Sequence, residues 1–331
     1  MDNIISGPID PLSRMETEDR KFYGTFVGWN SNDSLQKLRI AVGNVELSES
    51  DLRSALDRRP VRSYERYAEL RKVINEAIEN SVHMLVLPEL YVPFEWIPML
   101  SRACANDQLA LITGVEYVIS RSSDDIREPA TVYNLTAVIL PYIKDGHKFS
   151  HVLFHNKVNY SPGERSLIQG YHHKAQAGNS YELFCWRGVW FSVYCCYELS
   201  SIHDRAVFQT YADLLIAVEW NRDIPYFSNI VESLVRDMHC YCVQANSSRY
   251  GDIRLMQPAE TQVRDSIRTK GGKNACILFD EIDIQALREF QSKSLDLQKQ
   301  DGPFKQTPPD LDLRILNEKR NGKLKDEIID D

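Results

Sequence analysis

No apolar run in the chain approaches the ~20 residues that a membrane helix needs. The first twenty residues, "MDNIISGPIDPLSRMETEDR", hold no basic segment followed by an apolar one. A signal peptide is therefore not expected there. Positive charge is in deficit, with 39 Lys and Arg against 47 Asp and Glu and a formal net charge of -8. Phosphate binding needs the opposite balance, so nucleic acid is not expected as the main partner. "TKGGKN" at 269–274 lacks the pattern of a phosphate-binding loop. The seven cysteines are odd in number and contain no C-x-x-C pair, which argues against a disulfide framework or a zinc knuckle. Their mostly apolar neighbours suggest buried thiols in a reducing cytoplasm, which is the expected location. Asn134-Leu135-Thr136 and Asn246-Ser247-Ser248 match glycosylation acceptors and carry no meaning there.

What is present is a globular composition. Of 331 residues, 43% are hydrophobic and 26% charged, enough for a large core without disulfides. Residues 1–37 are polar and read as an irregular N-terminal extension. Strands are expected at 38–47, 83–89, 109–117, 131–141 and 148–157, with a second pair about Gly188. Further strands fall at 213–220, 240–248 and 274–281. Helices are expected at 64–81, 96–108, 198–211, 226–239 and 284–291. The alternation runs without a composition break over residues 38–291, which read as one α/β domain. Residues 292–331 form a charged tail, expected to be loosely held.

Three predicted strands end in a reactive side chain: "LVLPEL" in Glu89, "FHNKVNYSPGE" in Lys157 and "VYCCYEL" in Cys196. A thiol needs a base or a positive neighbour to attack at neutral pH. A buried carboxylate can take the thiol proton, and an ammonium can hold a developing oxyanion.

In order and context these stretches resemble the nitrilase, or carbon–nitrogen hydrolase, superfamily. The likeness covers roughly 38–285 and includes "GVEY", "YNLTAVILPYIKDG", "PGE", "VEWN" and "ANSSRYG". The resemblance implies an αββα sandwich and a Glu-Lys-Cys triad. Glu89 matches the general base, Lys157 the lysine that stabilises the tetrahedral intermediate, and Cys196 the nucleophile before a Tyr-acid pair. Glu164 matches a second active-site glutamate, the Tyr197 N–H an oxyanion donor, and Tyr133 and Trp220 pocket walls. It further implies hydrolysis of an amide or carbamoyl bond in a small molecule, no metal or organic cofactor, and homo-oligomers from dimers upward. Two other readings stand beside it. One is a nitrilase-like interaction or regulatory domain, of the kind fused to reverse transcriptases of bacterial phage defence. The other is acyl transfer to an amine by the same triad.

The chain departs from the family after the cysteine, where "YELSSIHDRA" replaces an acid followed by an Arg-Phe-Pro-Glu run. Asn156 stands where arginine is common, and the Lys157–Glu164 segment is one residue short. Cys195 is expected in the core, because adjacent strand residues point to opposite faces. His203 offers a cysteine–histidine pair but no third group. His151, His155, His172 and His173 have no metal-ligand spacing. Glu219 and Asn221 are candidate polar contacts of "VEWN".

Overall fold

The computed structural model describes residues 4–8, 20–27, 34–121 and 128–324. The chain opens with strands β1 (Ile4–Pro8), β2 (Lys21–Val27) and β3 (Lys37–Asn44). Helices α1 (Glu49–Leu56) and α2 (Tyr64–Glu79) follow, then β4 (Met84–Val92), α3 (Ile97–Asp107) and β5 (Ala110–Ser120). Next come β6 (Ala130–Lys144), β7 (His147–Asn156), α4 (Pro162–Gly170), β8 (His173–Ala175), β9 (Ser180–Trp186) and β10 (Val189–Cys195). A 3₁₀ turn (Cys196–Ser200) leads to α5 (Ile202–Ala206), β11 (Leu214–Glu219), α6 (Ile224–Met238) and β12 (Tyr241–Asn246). The last elements are β13 (Ile253–Met256), β14 (Asp265–Thr269), β15 (Cys276–Asp283), α7 (Ile284–Gln291), α8 (Leu295–Gln298) and α9 (Leu313–Arg320).

Two sheets result. One has the order β1-β2-β9-β10-β11-β12-β13-β14, the other β15-β3-β4-β5-β6-β7 with β8 joined to β6. The central strands carry apolar residues on both faces, as strands covered on both sides must. Val42, Val86 and Ile112 of one sheet meet Phe191, Val193 and Ile216 of the other in the inter-sheet core. On the far side of the β4 sheet, Leu85 and Leu87 pack with Leu70, Val73 and Ile74 of α2. On the far side of the β10 sheet, Tyr194, Leu215 and Ala217 pack with Phe227, Val231 and Leu234 of α6. The architecture is therefore the expected α/β, four-layer αββα sandwich.

Three segments differ from the sequence reading. The N-terminal extension, read as irregular, supplies two strands. β2 runs parallel to β9, with Lys21 opposite Ser180 and Val27 opposite Trp186, and β1 pairs antiparallel with β2. The helix expected over 198–211 is broken, because extended Ser201 caps α5 and its side chain accepts the Asp204 N–H. The tail is docked rather than loose. Phe304, Ile315 and Leu316 are buried, and Lys319 Nζ reaches buried Asp213 at 3.1 Å. The acidic end "KDEIIDD" lies outside the described residues, as does much of the polar loop before Pro129. No helix among the described residues is long and apolar enough to cross a membrane.

Candidate active site

The three strand-end residues are brought together by three local distortions. In β4 the pairing with β5 breaks between Leu87 and Val92, and Leu90 takes a left-handed φ of 61°. That break lifts Glu89 out of the ladder while keeping it buried. Its partner is Gly114 of "GVEY", where a Cβ would come within 2.2 Å of Leu90 N and 2.3 Å of Glu89 Cα. Any larger residue would push the carboxylate away. Lys157 leaves the end of β7 but stays tied to β6 through its N–H, which donates to the Asn134 carbonyl at 2.9 Å. Cys196 follows β10 directly at a φ of 49°, a strained value for cysteine, and opens the 3₁₀ turn. Strain of this kind clusters at functional sites.

Buried Glu89 and Lys157 and half-buried Glu164 form one array. Lys157 Nζ donates to Glu89 Oε1 and Glu164 Oε2, both at 2.7 Å. The Asn134 amide donates to Glu89 Oε1 and Glu164 Oε1, both at 2.8 Å. Glu89 Oε2 accepts the Trp220 N–H at 2.9 Å, and Tyr117 Oη donates to Glu164 Oε1 at 3.0 Å. Glu164 sits in the first turn of α4, placed by the Ser161 cap and by Pro162 in that turn. Burial raises the Glu89 carboxyl, but the Lys157 ammonium and three hydrogen bonds outweigh it and hold Glu89 below its usual value. Burial lowers Lys157, yet the Cys195 sulfur and the two carboxylates lift it well above the ordinary lysine range. The Glu89 carboxylate and the Lys157 ammonium thus favour each other's charged form.

Glu89, Lys157 and Glu164 line a cavity of about 580 Å³, and Cys196 lines the same cavity. Tyr197, Trp220 and Asn221 are on its wall, as is Phe227 of α6. Burial and the Glu89 charge push the Cys196 thiol well up, against a smaller pull from Lys157. The thiol therefore holds its proton at rest and needs a base. The Tyr197 N–H is the second in its turn, where no intrahelical carbonyl is available to it.

Other residues fall differently. Tyr133 is half-buried, pairs with Val118 across the β5–β6 ladder, and is not among the residues lining the cavity. The next residue, Asn134, holds the carboxylates, and one step along a strand changes faces. Cys195 is buried in the inter-sheet core, but it is not a bystander. Its Sγ donates to Glu89 Oε1 at 3.1 Å, and it forms a reciprocal cap with Glu198. Glu219 is buried, is not among the residues lining the cavity, and accepts from the Gln244 amide at 3.3 Å. His203 is exposed on α5, His172 is exposed, and His173 Nε2 contacts the Leu56 carbonyl. Asn134, Tyr117 and the pair His155–Glu198 are site neighbours that residue type alone did not reveal. For Tyr117 the flanking "GVEY" was the available signal.

No family model and no curated protein sequence matches the chain. Solved structures do. Nit3 of Saccharomyces cerevisiae, a member of branch 10 of the nitrilase superfamily, aligns at TM-score 0.54 and 15% identity over 80% of this chain and 96% of its own. A CN-hydrolase superfamily protein of Xanthomonas campestris aligns at TM-score 0.54 and 13% identity over 82% of this chain and 99% of its own. The amidase of Nesterenkonia sp. AN1, as a cysteine-to-alanine variant with butyramide, aligns at TM-score 0.51 and 15% identity over 80% and 96%. Two facing sheets, helices on both outer faces and near-complete coverage of these neighbours lead to one conclusion: the chain has the fold of the nitrilase superfamily.

Proposed function

We propose that the protein hydrolyses a non-peptide carbon–nitrogen bond, of amide or carbamoyl type, in a small molecule. The observation that carries this reading is the contact of Glu89, Lys157 and Glu164 on the wall of a 580 Å³ cavity that Cys196 also lines. Residues 38–291 are the unit that performs the reaction.

Glu89 takes the Cys196 proton, and the thiolate attacks the carbonyl carbon. The carbonyl π pair moves to oxygen, where Lys157 Nζ and the Tyr197 N–H hold it. The oxyanion collapses, the carbon–nitrogen bond breaks, and Glu89 delivers its proton to the leaving nitrogen. An acyl-thioester on Cys196 and free amine or ammonia result. Glu89 then takes a proton from water as the water attacks the thioester. Collapse releases the acid, and the sulfur recovers its proton from Glu89. Glu164 keeps Lys157 charged and aimed throughout. The raised thiol suits this sequence, because proton removal is coupled to attack rather than completed beforehand. An amide is favoured over a nitrile by analogy with the amidase neighbour, whose active-site cysteine carries the acetamide moiety of fluoroacetamide in a structure at TM-score 0.50.

Cys195 also touches Glu89, so the test must separate the two sulfurs. Labelling with a haloacetamide, followed by peptide mass mapping, should place the adduct on Cys196. Cys196→Ala should lose that label and release no ammonia from a panel of small amides and carbamoyl amines, whereas Cys195→Ser should keep the label. An adduct on Cys195, or equal labelling of wild type and Cys196→Ala, would remove Cys196 from the mechanism. Labelling without product from any amide would favour the interaction-module reading.

A further inference from the structure

His155 lies two residues before Lys157 and is fully buried. Its Nδ1 is 3.0 Å from Glu182 Oε2, and its Nε2 is 3.0 and 3.1 Å from the two Glu198 oxygens. The ring stacks on Tyr181 at 5.6 Å between centroids. Each ring nitrogen faces a carboxylate, so both serve as donors and the imidazole carries a charge. Burial alone would suppress that charge, but Glu198 and Glu182 outweigh it and the ring is pushed up to about 10. Glu182 is held in turn by Ser180 Oγ at 2.7 Å.

Glu198 has further work. Its Oε1 accepts the Val158 N–H at 2.5 Å, and its Oε2 accepts the Cys195 N–H at 2.6 Å. Val158 follows Lys157, and Cys195 precedes Cys196. One carboxylate therefore spans the two backbone segments that carry the lysine and the cysteine. Those segments come from different sheets, β7 from one and β10 from the other. A buried carboxylate needs partners for its lone pairs, and here the two N–H groups and the imidazole supply them. His155 meets both of its oxygens and ties it to β9 through Glu182.

We propose that His155 and Glu198 are positioning residues that fix the spacing between Lys157 and Cys196 across the two sheets. The proposal rests on the reading of Glu89, Lys157 and Cys196 as the reacting groups. It predicts more than a loss of stability: slack in this strut moves the Cys196 thiol relative to Lys157 and Glu89, so its reactivity toward electrophiles changes.

The test uses the full chain and iodoacetamide, and follows the rate of Cys196 alkylation against pH by peptide mass. His155→Gln should slow alkylation at neutral pH by about 10-fold and move the profile upward by about one pH unit, one unit being tenfold in thiolate. Glu182→Gln, at the rim of the strut, should shift it the same way by about 2- to 3-fold, a fraction of that same unit. Lys157→Met reports on the underlying reading, since it should also slow alkylation. If Lys157→Met leaves the profile unchanged, the triad reading falls and the strut with it. If Lys157→Met slows alkylation while folded His155→Gln matches wild type, the strut alone is overturned. Should His155→Gln fail to fold, an unchanged profile in Glu182→Gln overturns it equally.

Discussion

Two buried charge clusters in this molecule look alike as ion pairs and differ in what surrounds them. In one, Lys157 is shared by Glu89 and Glu164. In the other, Asp213 is shared by Arg288 and Lys319. Around Asp213 the remaining valences are closed by protein. The Trp190 N–H donates to Asp213 at 3.0 Å, Lys319 donates to the Thr210 and Tyr211 carbonyls, and Arg288 donates to the Gly188 carbonyl. Beside Lys157 there is instead a cavity and a thiol. The electrostatics also diverge. Burial dominates at Lys319 and lowers it despite Asp213, whereas Lys157 is raised by two carboxylates and a sulfur. Charge pairing in the interior is therefore no mark of chemistry by itself. What sets the Lys157 cluster apart is pairing left open on one side, toward a cavity that a cysteine also lines.

The comparison breaks if the two clusters respond alike to loss of a member. Asp213→Ala leaves two buried cations facing each other and should cost about 3–5 kcal/mol of stability, the usual penalty for breaking a buried pair. Urea unfolding reads this, and the folded fraction should retain its turnover. Lys157→Met should do the reverse. It should lower the rate of amide hydrolysis by on the order of 100-fold even in the folded fraction, as loss of an oxyanion donor does. A normal rate would return Lys157 to the structural class of Lys319. The third effect depends on pH and is expected at Glu219, a buried acid with no ion pair among the described residues. Burial, partly offset by Gln244 and Asn221, pushes it up to about 8. A carboxyl raised in the folded state keeps its proton while the unfolded chain loses its own. Its contribution therefore falls as pH rises from the ordinary carboxylate value to about 8. Glu219→Gln should remove that slope, so its stability relative to wild type should grow between pH 5 and pH 8. Parallel urea midpoints at the two pH values would place Glu219 among the ordinary acids.

The parts of this site that could be read from sequence are those in which a chemically reactive residue ends a short apolar run. Glu89 after "LVLP" and Cys196 after "SVYC" are of that kind, and Lys157 joined them through chain order. What could not be read depends on contacts between distant segments. Asn134 sits inside a strand and resembles a glycosylation acceptor, so nothing local reveals that it bridges two carboxylates. Cys195 was assigned to the core by strand alternation. It is buried there, yet the left-handed turn at the next residue lets both sulfurs feel Glu89. β13 was hidden by its own arginine, because Arg254 is fully buried against Asp265 and Glu232. α9 was hidden by brevity, since its eight residues bury only Ile315, Leu316 and Lys319.

The pairing of β2 with β9 has a consequence for how the molecule ends sideways. Without β2, the outer rim of β9 would present "SYELFCW" as an unpaired ribbon, apolar enough to recruit a strand from a neighbouring molecule. β2 fills that rim and β1 becomes the new border. β1 reads "IISGP", five residues closing on glycine and a proline that has no N–H to offer. The first residues of the chain thus replace a border that invites further strands with one that discourages them.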